Sequence, residues 1–234
     1  MALLGGVDGC KAGWLLLVLD SETRAIRPEV LPNAGRLFDR VPGLQVMTVD
    51  IPIGLTDGPP RQCDVEARQL LGRGRQSSVF PAPVRPALAA STYLQACQLS
   101  QNACGKSLSK QAFGILPKIR DVDEQMRLLA DSQCQVREVH PEVCFYFWMN
   151  GRPMQFGKKD REGFNERLRL VESTFPGAFR DVRGEFARGA VADDDVVDAL
   201  AALWTAERVA SGAARTVPDR PPLDRYGLRM EMVA

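Results

Sequence analysis

Two apolar runs, residues 3–8 and 14–20, are separated only by Gly9, Cys10, Lys11, Ala12 and Gly13. Runs of that length around a glycine-bounded connector read as two strands closing an antiparallel hairpin, and the rest of the core has to be built against it. A β-rich run over residues 45–51 contains Asp50 and is broken by Pro52 and Gly54. Residues 25–31 read as a further strand and residues 37–41 as a short helix. Asp8 and Asp50 therefore both fall at the ends of expected strands.

Beyond residue 57 the texture changes. Pro59, Pro60, Pro81, Pro83 and Pro86 are expected to prevent any long element up to about residue 113, so residues 57–113 read as an inserted cap or lid. A helix is expected over residues 118–130, and a strand over 135–140 that Pro141 stops. A helical pattern returns over 161–173. The strongest helix spans residues 191–209, where Val196, Val197, Leu200, Leu203 and Trp204 recur at helical spacing. A last strand is expected over 228–233. At 234 residues, 45% hydrophobic, the chain reads as one domain over residues 1–234 carrying the lid as an elaboration.

The formal charge is +1, so global electrostatics do not steer the chain toward nucleic acid or an anionic membrane, and any such affinity has to come from a local patch. The apolar run at 14–19 is too short to span a bilayer and residues 1–6 carry no basic region, which gives a cytoplasmic expectation without a membrane partner. Six cysteines are scattered without a CxxC pair, which argues against a zinc ribbon or a thioredoxin-type site. With His140 as the single histidine, a metal site here would be a hard-cation site made of carboxylates.

A helix starting near Ala192 places Asp195 and Asp198, three apart, on one face. Asp8 and Asp50 join them if their strands are neighbours and the late helix packs on the sheet. Like charges clustered in this way need a cation, so a divalent ion is expected to complete the set. Acids at strand ends and in first helical turns also serve as solvated or capping groups, and a boundary error of one residue would bring Asp194 in place of Asp195.

The segments Gly6-Val7-Asp8-Gly9-Cys10-Lys11-Ala12-Gly13-Trp14, Asp50-Ile51-Pro52-Ile53-Gly54-Leu55, Ser77-Ser78-Val79-Phe80-Pro81-Ala82-Pro83 and Glu138-Val139-His140-Pro141-Glu142 resemble the DUF429 family of predicted ribonuclease H-like nucleases. Asp195-Val196-Val197-Asp198-Ala199-Leu200 also resembles the paired-aspartate helix of RuvC-type resolvases. The resemblance implies an α/β fold with a five-stranded mixed sheet and flanking helices, Asp8 on the first strand and Asp50 on the fourth. It also implies Glu138 as an additional carboxylate ending the next strand. Asp8, Asp50, Glu138, Asp195 and Asp198 would then hold two Mg²⁺ or Mn²⁺ ions roughly 4 Å apart for hydrolysis of phosphodiester bonds in RNA or DNA.

Other chemistries fit less well. His140-Pro141-Glu142 matches half of a zinc deaminase motif, but the required downstream cysteine pair is missing, since only Cys144 follows. His140 reads equally as a general base beside the metals and as a locally bonded strand-end residue, and Glu142 as a helix-start acid. Cys10 lacks a partner that would activate a thiolate, and Ser77 and Ser78 lack the G-x-S-x-G elbow. Arg73 and Arg75, flanking Gly74, are the arginines expected to contact phosphate, against the commoner reading of a solvated face. Residues 145–148, all aromatic, read as core rather than a base-stacking platform. Two rival classes stand beside the nuclease: an actin-like nucleotide phosphotransferase, suggested by Gly6-Val7-Asp8-Gly9, and a non-catalytic nucleic-acid-binding module of the same fold.

Overall fold

Leu15, Leu17 and Leu19 pack to one side of the second strand and Trp14 and Leu16 to the other, all excluded from solvent. A strand apolar on both faces belongs inside a sheet covered on both sides. The computed structural model describes residues 2–129 and 134–234. Its elements run β1 (Leu3–Cys10), β2 (Gly13–Asp20), β3 (Ile26–Leu31), α1 (Ala34–Phe38), β4 (Val46–Val49), α2 (Gln62–Arg75), α3 (Tyr93–Cys104), α4 (Lys110–Leu128), β5 (Val136–Glu138) and α5 (Pro141–Trp148). They continue through α6 (Arg161–Thr174), α7 (Ala178–Glu185), α8 (Asp193–Ala210), β6 (Thr216–Val217) and β7 (Met232–Val233).

The order β3-β2-β1-β4-β5 makes a five-stranded mixed sheet: β1, β3, β4 and β5 share one direction and β2 alone runs against them. This is the expected α/β architecture, consistent with a ribonuclease H-like arrangement. A separate two-stranded ribbon pairs β6 with β7. Helices α5 to α8 cover one face and α1 and α4 the other. Among the described residues no helix is long and apolar enough to cross a membrane.

Packing of α8 on the sheet sets the geometry of everything that follows. A Cβ on Gly6 would lie 2.3 Å from the Leu203 amide nitrogen and 2.6 Å from the Ala199 carbonyl oxygen, so the helix backbone rests directly on β1. Only glycine permits that approach. One strand over, the Thr48 hydroxyl donates to the Ala202 carbonyl at 2.7 Å and satisfies a polar group that has no access to water.

The stretch over 57–113 differs from expectation. Pro59 and Pro60 precede α2, and Pro81, Pro83 and Pro86 lie between α2 and α3, so the prolines punctuate two real helices instead of preventing them. The α4 helix starts at Lys110, eight residues before the expected start, with Ser109 accepting from the Ala112 amide as N-cap. Pro117 sits inside α4 and not at its head; burial of Leu116, Ile119 and Val122 offsets the missing amide. The expected end at Ala130 lies outside the described residues. Buried Arg85 binds both Asp123 of α4 and Asp224 near the C-terminal ribbon, tying the inserted stretch to the main body. The aromatic run forms α5: Phe145 is buried, while Tyr146, Phe147 and Trp148 pack against the core from its edge.

Candidate active site

Alternation along the strands decides which acids can meet. In β1, Leu4 and Cys10 face the α8 side and Val7 the opposite side, so Asp8 faces α8. In β4, Val46 packs on the α8 side and Met47 and Val49 on the other, which turns the next residue, Asp50, toward α8. Val7 pairs with Val49, and the Asp50 amide donates to the Val7 carbonyl at 3.0 Å. Asp8 and Asp50 therefore end adjacent parallel strands at the same level and on the same face. The carboxyl ends of parallel strands are where α/β sheets place their ligands.

Asp195 and Asp198 arrive from the first turns of α8. Asp195 accepts from the Ala192 amide at 2.8 Å and so caps its own helix, while Asp198 is buried at 4% exposure. Asp194 is exposed, so Asp195 is the one turned inward. Burial raises the Asp8 carboxyl well above its ordinary value, helped by the charges of Asp50, Asp198 and Asp195. Asp50 is pushed up to about 8 by burial and then by Asp198. Asp195 and Asp198 are also raised, again by burial first. The four acids thus feel one another and are short of positive charge.

The nearest cation is Lys158, whose Nζ lies 2.9 Å from Asp198 Oδ2. Its pKa is raised, chiefly by Asp198. Asp8 accepts one hydrogen bond, 2.7 Å from the Gly9 amide, and the Asp50 carboxylate has no hydrogen bond or ion pair among the described residues.

Glu138 departs from expectation. It pairs in register with Val49, one residue short of Asp50, so its side chain turns to the opposite side of the sheet. There Arg61 NH1 and NH2 bind its two oxygens at 2.7 and 2.8 Å, and the Ile53 amide adds a bond at 2.6 Å. Arg61 also binds Asp64 at 2.5 Å. Cys63, Asp64 and Glu138 offer ligand atoms within 4.8 Å of one another, but the guanidinium of Arg61 already supplies the cation of that group. Both oxygens of Glu138 are thus held by Arg61, although the residue also lines the cavity over Asp8 and Asp50, its charge helps to raise Asp50, and burial pushes its own carboxyl up to about 7.

A cavity of about 520 Å³ opens over Asp8 and Asp50. Ser77, Ser78 and Phe80 after α2, Gln111 and Lys118 of α4, and Lys158 and Lys159 of the loop before α6 border it. Asp195 and Asp198 stand behind this surface and do not line it. Arg75 lines the cavity and binds Glu142 at 2.8 Å, whereas Arg73, expected beside it, is exposed and does not line it. Lys118 lies over the Trp14 ring at 4.4 Å and donates to the Gly13 carbonyl. A larger, more open depression of about 840 Å³ between α2, α5 and residues 215–220 contains none of these aspartates.

His140 caps α5: its Nδ1 accepts from the Glu142 amide at 3.2 Å, which leaves the ring proton on Nε2. Burial lowers its pKa, outweighing the nearby Glu142 carboxylate and Ser78 backbone, which raise it. Nδ1 is thus committed to the helix cap, as in the locally bonded reading, while the residue also lines the cavity. For Glu142, burial alone would raise the carboxyl, but Arg167 and Arg75 outweigh it and hold the group below its ordinary value. Lys158 was not singled out by sequence reasoning. The one available signal was the Gly157-Lys158-Lys159-Asp160 turn ahead of α6.

A family model described as a protein of unknown function (DUF429) matches residues 6–223. No curated protein and no solved structure matches the chain.

Proposed function

From the premise that the chain belongs to the DUF429 family, to which no activity is attached, we propose that it is a metal-dependent phosphodiesterase acting on nucleic acid, with Asp8 and Asp50 holding a Mg²⁺ or Mn²⁺ ion. One observation carries the reading: two acids at adjacent strand ends, facing a cavity and raised by burial and mutual charge, have almost no hydrogen-bonding partners of their own. Hard oxygen donors fit such an ion, which commonly takes only one or two protein carboxylates. Asp195 and Asp198 add negative charge from behind.

Bound there, a divalent ion would supply Lewis-acid activation of a phosphoryl oxygen and of water. The chain's own residues do the remainder. Lys118, Lys158, Lys159 and Arg75 give the cavity wall the positive charge that draws a phosphate backbone. Ser77, Ser78 and Gln111 offer hydroxyl and amide donors, and Phe80 a face for a base. With the chain's single histidine committed to its helix cap, the proton of an attacking water falls to a carboxylate oxygen of the cluster. The cavity volume lies in the range of small-ligand pockets, which favours one nucleotide of a single strand over an intact duplex.

The actin-like reading calls for two repeated halves, and the described residues form one five-stranded sheet and one two-stranded ribbon. Labelled single-stranded, duplex, hybrid and branched nucleic acids, offered with Mg²⁺ or Mn²⁺ and with chelator, test the proposal. Cleavage of single strands that needs the ion and disappears in Asp8→Asn is expected. Cleavage that persists in chelator or in that variant, or no cleavage of any substrate, would contradict it.

A further inference from the structure

Lys158 is placed as a built part of the site, and the way its loop is held shows this. The Glu166 carboxylate of α6 accepts from the Gln155 amide at 3.0 Å and the Phe156 amide at 3.2 Å, and Asp160 accepts from the Gly157 amide at 3.2 Å. Arg167 donates to the Phe156 carbonyl at 3.2 Å and is itself locked to Glu142 at 2.9 Å. A Cβ on Gly163 would fall 1.9 Å from the Gly157 carbonyl oxygen, so the loop backbone touches the helix directly. The residues on both sides of Lys158 are thus strapped to α6, and its ammonium is delivered to Asp198 from a fixed support.

Resting on the metal reading above, we infer that Lys158 permanently occupies the second cation position of this acidic cluster, so that the site takes a single divalent ion, on Asp8 and Asp50. Asp198 is 4% exposed and stands behind the cavity surface, with Lys158 Nζ 2.9 Å from its Oδ2. An ion on Asp198 would have to expel this ammonium, which also feels Asp50 and Asp8. The ammonium and an ion on Asp198 would compete for the same carboxylate oxygen, Oδ2. A tethered ammonium and one divalent ion together bring three positive charges, one fewer than a pair of divalent ions. Lys158 also borders the cavity, where the same charge faces the phosphate.

Counting Mn²⁺ ions bound to the full chain by isothermal titration and equilibrium dialysis tests this, with Mn²⁺ alone as the probe. One ion per chain is expected for the parent and for Lys158→Arg. Two are expected for Lys158→Ala and for Lys158→Met, the latter keeping most of the side-chain stem; thermal melting without metal checks that each variant folds. Two ions on the parent overturn the inference without recourse to any variant. One ion on the parent and still one on folded Lys158→Ala and Lys158→Met also overturns it, while the metal reading stands. No ion on the parent overturns both.

Discussion

Glu138 and Asp50 end neighbouring parallel strands, yet their carboxylates are treated in opposite ways. Glu138, level with Val49, turns away from α8 and meets a bidentate guanidinium and a backbone amide. Asp50, one step further along, turns toward α8, where the charges of Asp8 and Asp198 act on it and the close ammonium of Lys158 is bound to Asp198 instead. Both environments are buried and acidic, so burial by itself does not mark a site. A buried acid with its full set of partners stabilises the fold, while a group of acids left under-neutralised at the mouth of a cavity is organised to receive something.

The contrast breaks most visibly at Arg61. Arg61→Met leaves Glu138 and Asp64 buried without their shared partner and is expected to cost about 3–5 kcal/mol in urea unfolding. A loss below about 1 kcal/mol would mean that the two clusters do not differ in the way described. Next comes Gly6→Ala, where the new methyl meets the backbone of Leu203 and forces α8 off the sheet. A loss of about 1–3 kcal/mol is expected, together with weaker Mn²⁺ binding as α8 moves. Unchanged stability would show slack in a contact described here as rigid.

Asp8→Asn should behave oppositely to Arg61→Met. It removes one of several repelling charges, so ion-free stability is expected to stay level or rise while Mn²⁺ binding is lost; a marked fall would place Asp8 among the structural acids. A pH slope is expected as well. Asp50 binds its proton more tightly folded, at about 8, than unfolded, near the ordinary value of 3.8. Its contribution is therefore complete below the unfolded value and is lost as pH rises through about 8. Stability in chelator should fall across that window, and Asp50→Asn should flatten the slope. An equal slope in parent and variant would contradict the origin given for it.

How much of this the sequence carried follows from the range of each interaction. The hairpin, the strand ends bearing Asp8 and Asp50, and the helix bearing Asp195 and Asp198 rest on local periodicity, and all were legible. Helix α4 starts eight residues before the expected residue 118, at a cap, Ser109, that apolar spacing alone does not mark. The side of the sheet to which Glu138 turns rests on a one-residue register between β4 and β5, which short apolar runs do not specify. Its partner Arg61 lies far away in sequence and became recognisable only once the chain had folded. Lys158 was hidden for the same reason, since its loop is positioned by backbone contacts to α6 that have no sequence pattern of their own.

The central claim, that Asp8 and Asp50 form a divalent-ion site, is tested most directly by unfolding the parent and Asp8→Asn with and without saturating Mn²⁺. Binding to the folded state alone adds about 2.7 kcal/mol when the free ion is at a hundredfold excess over its dissociation constant. The account predicts a gain of that order in the parent and none in the variant. An equal gain in both, or no gain in the parent, would contradict it.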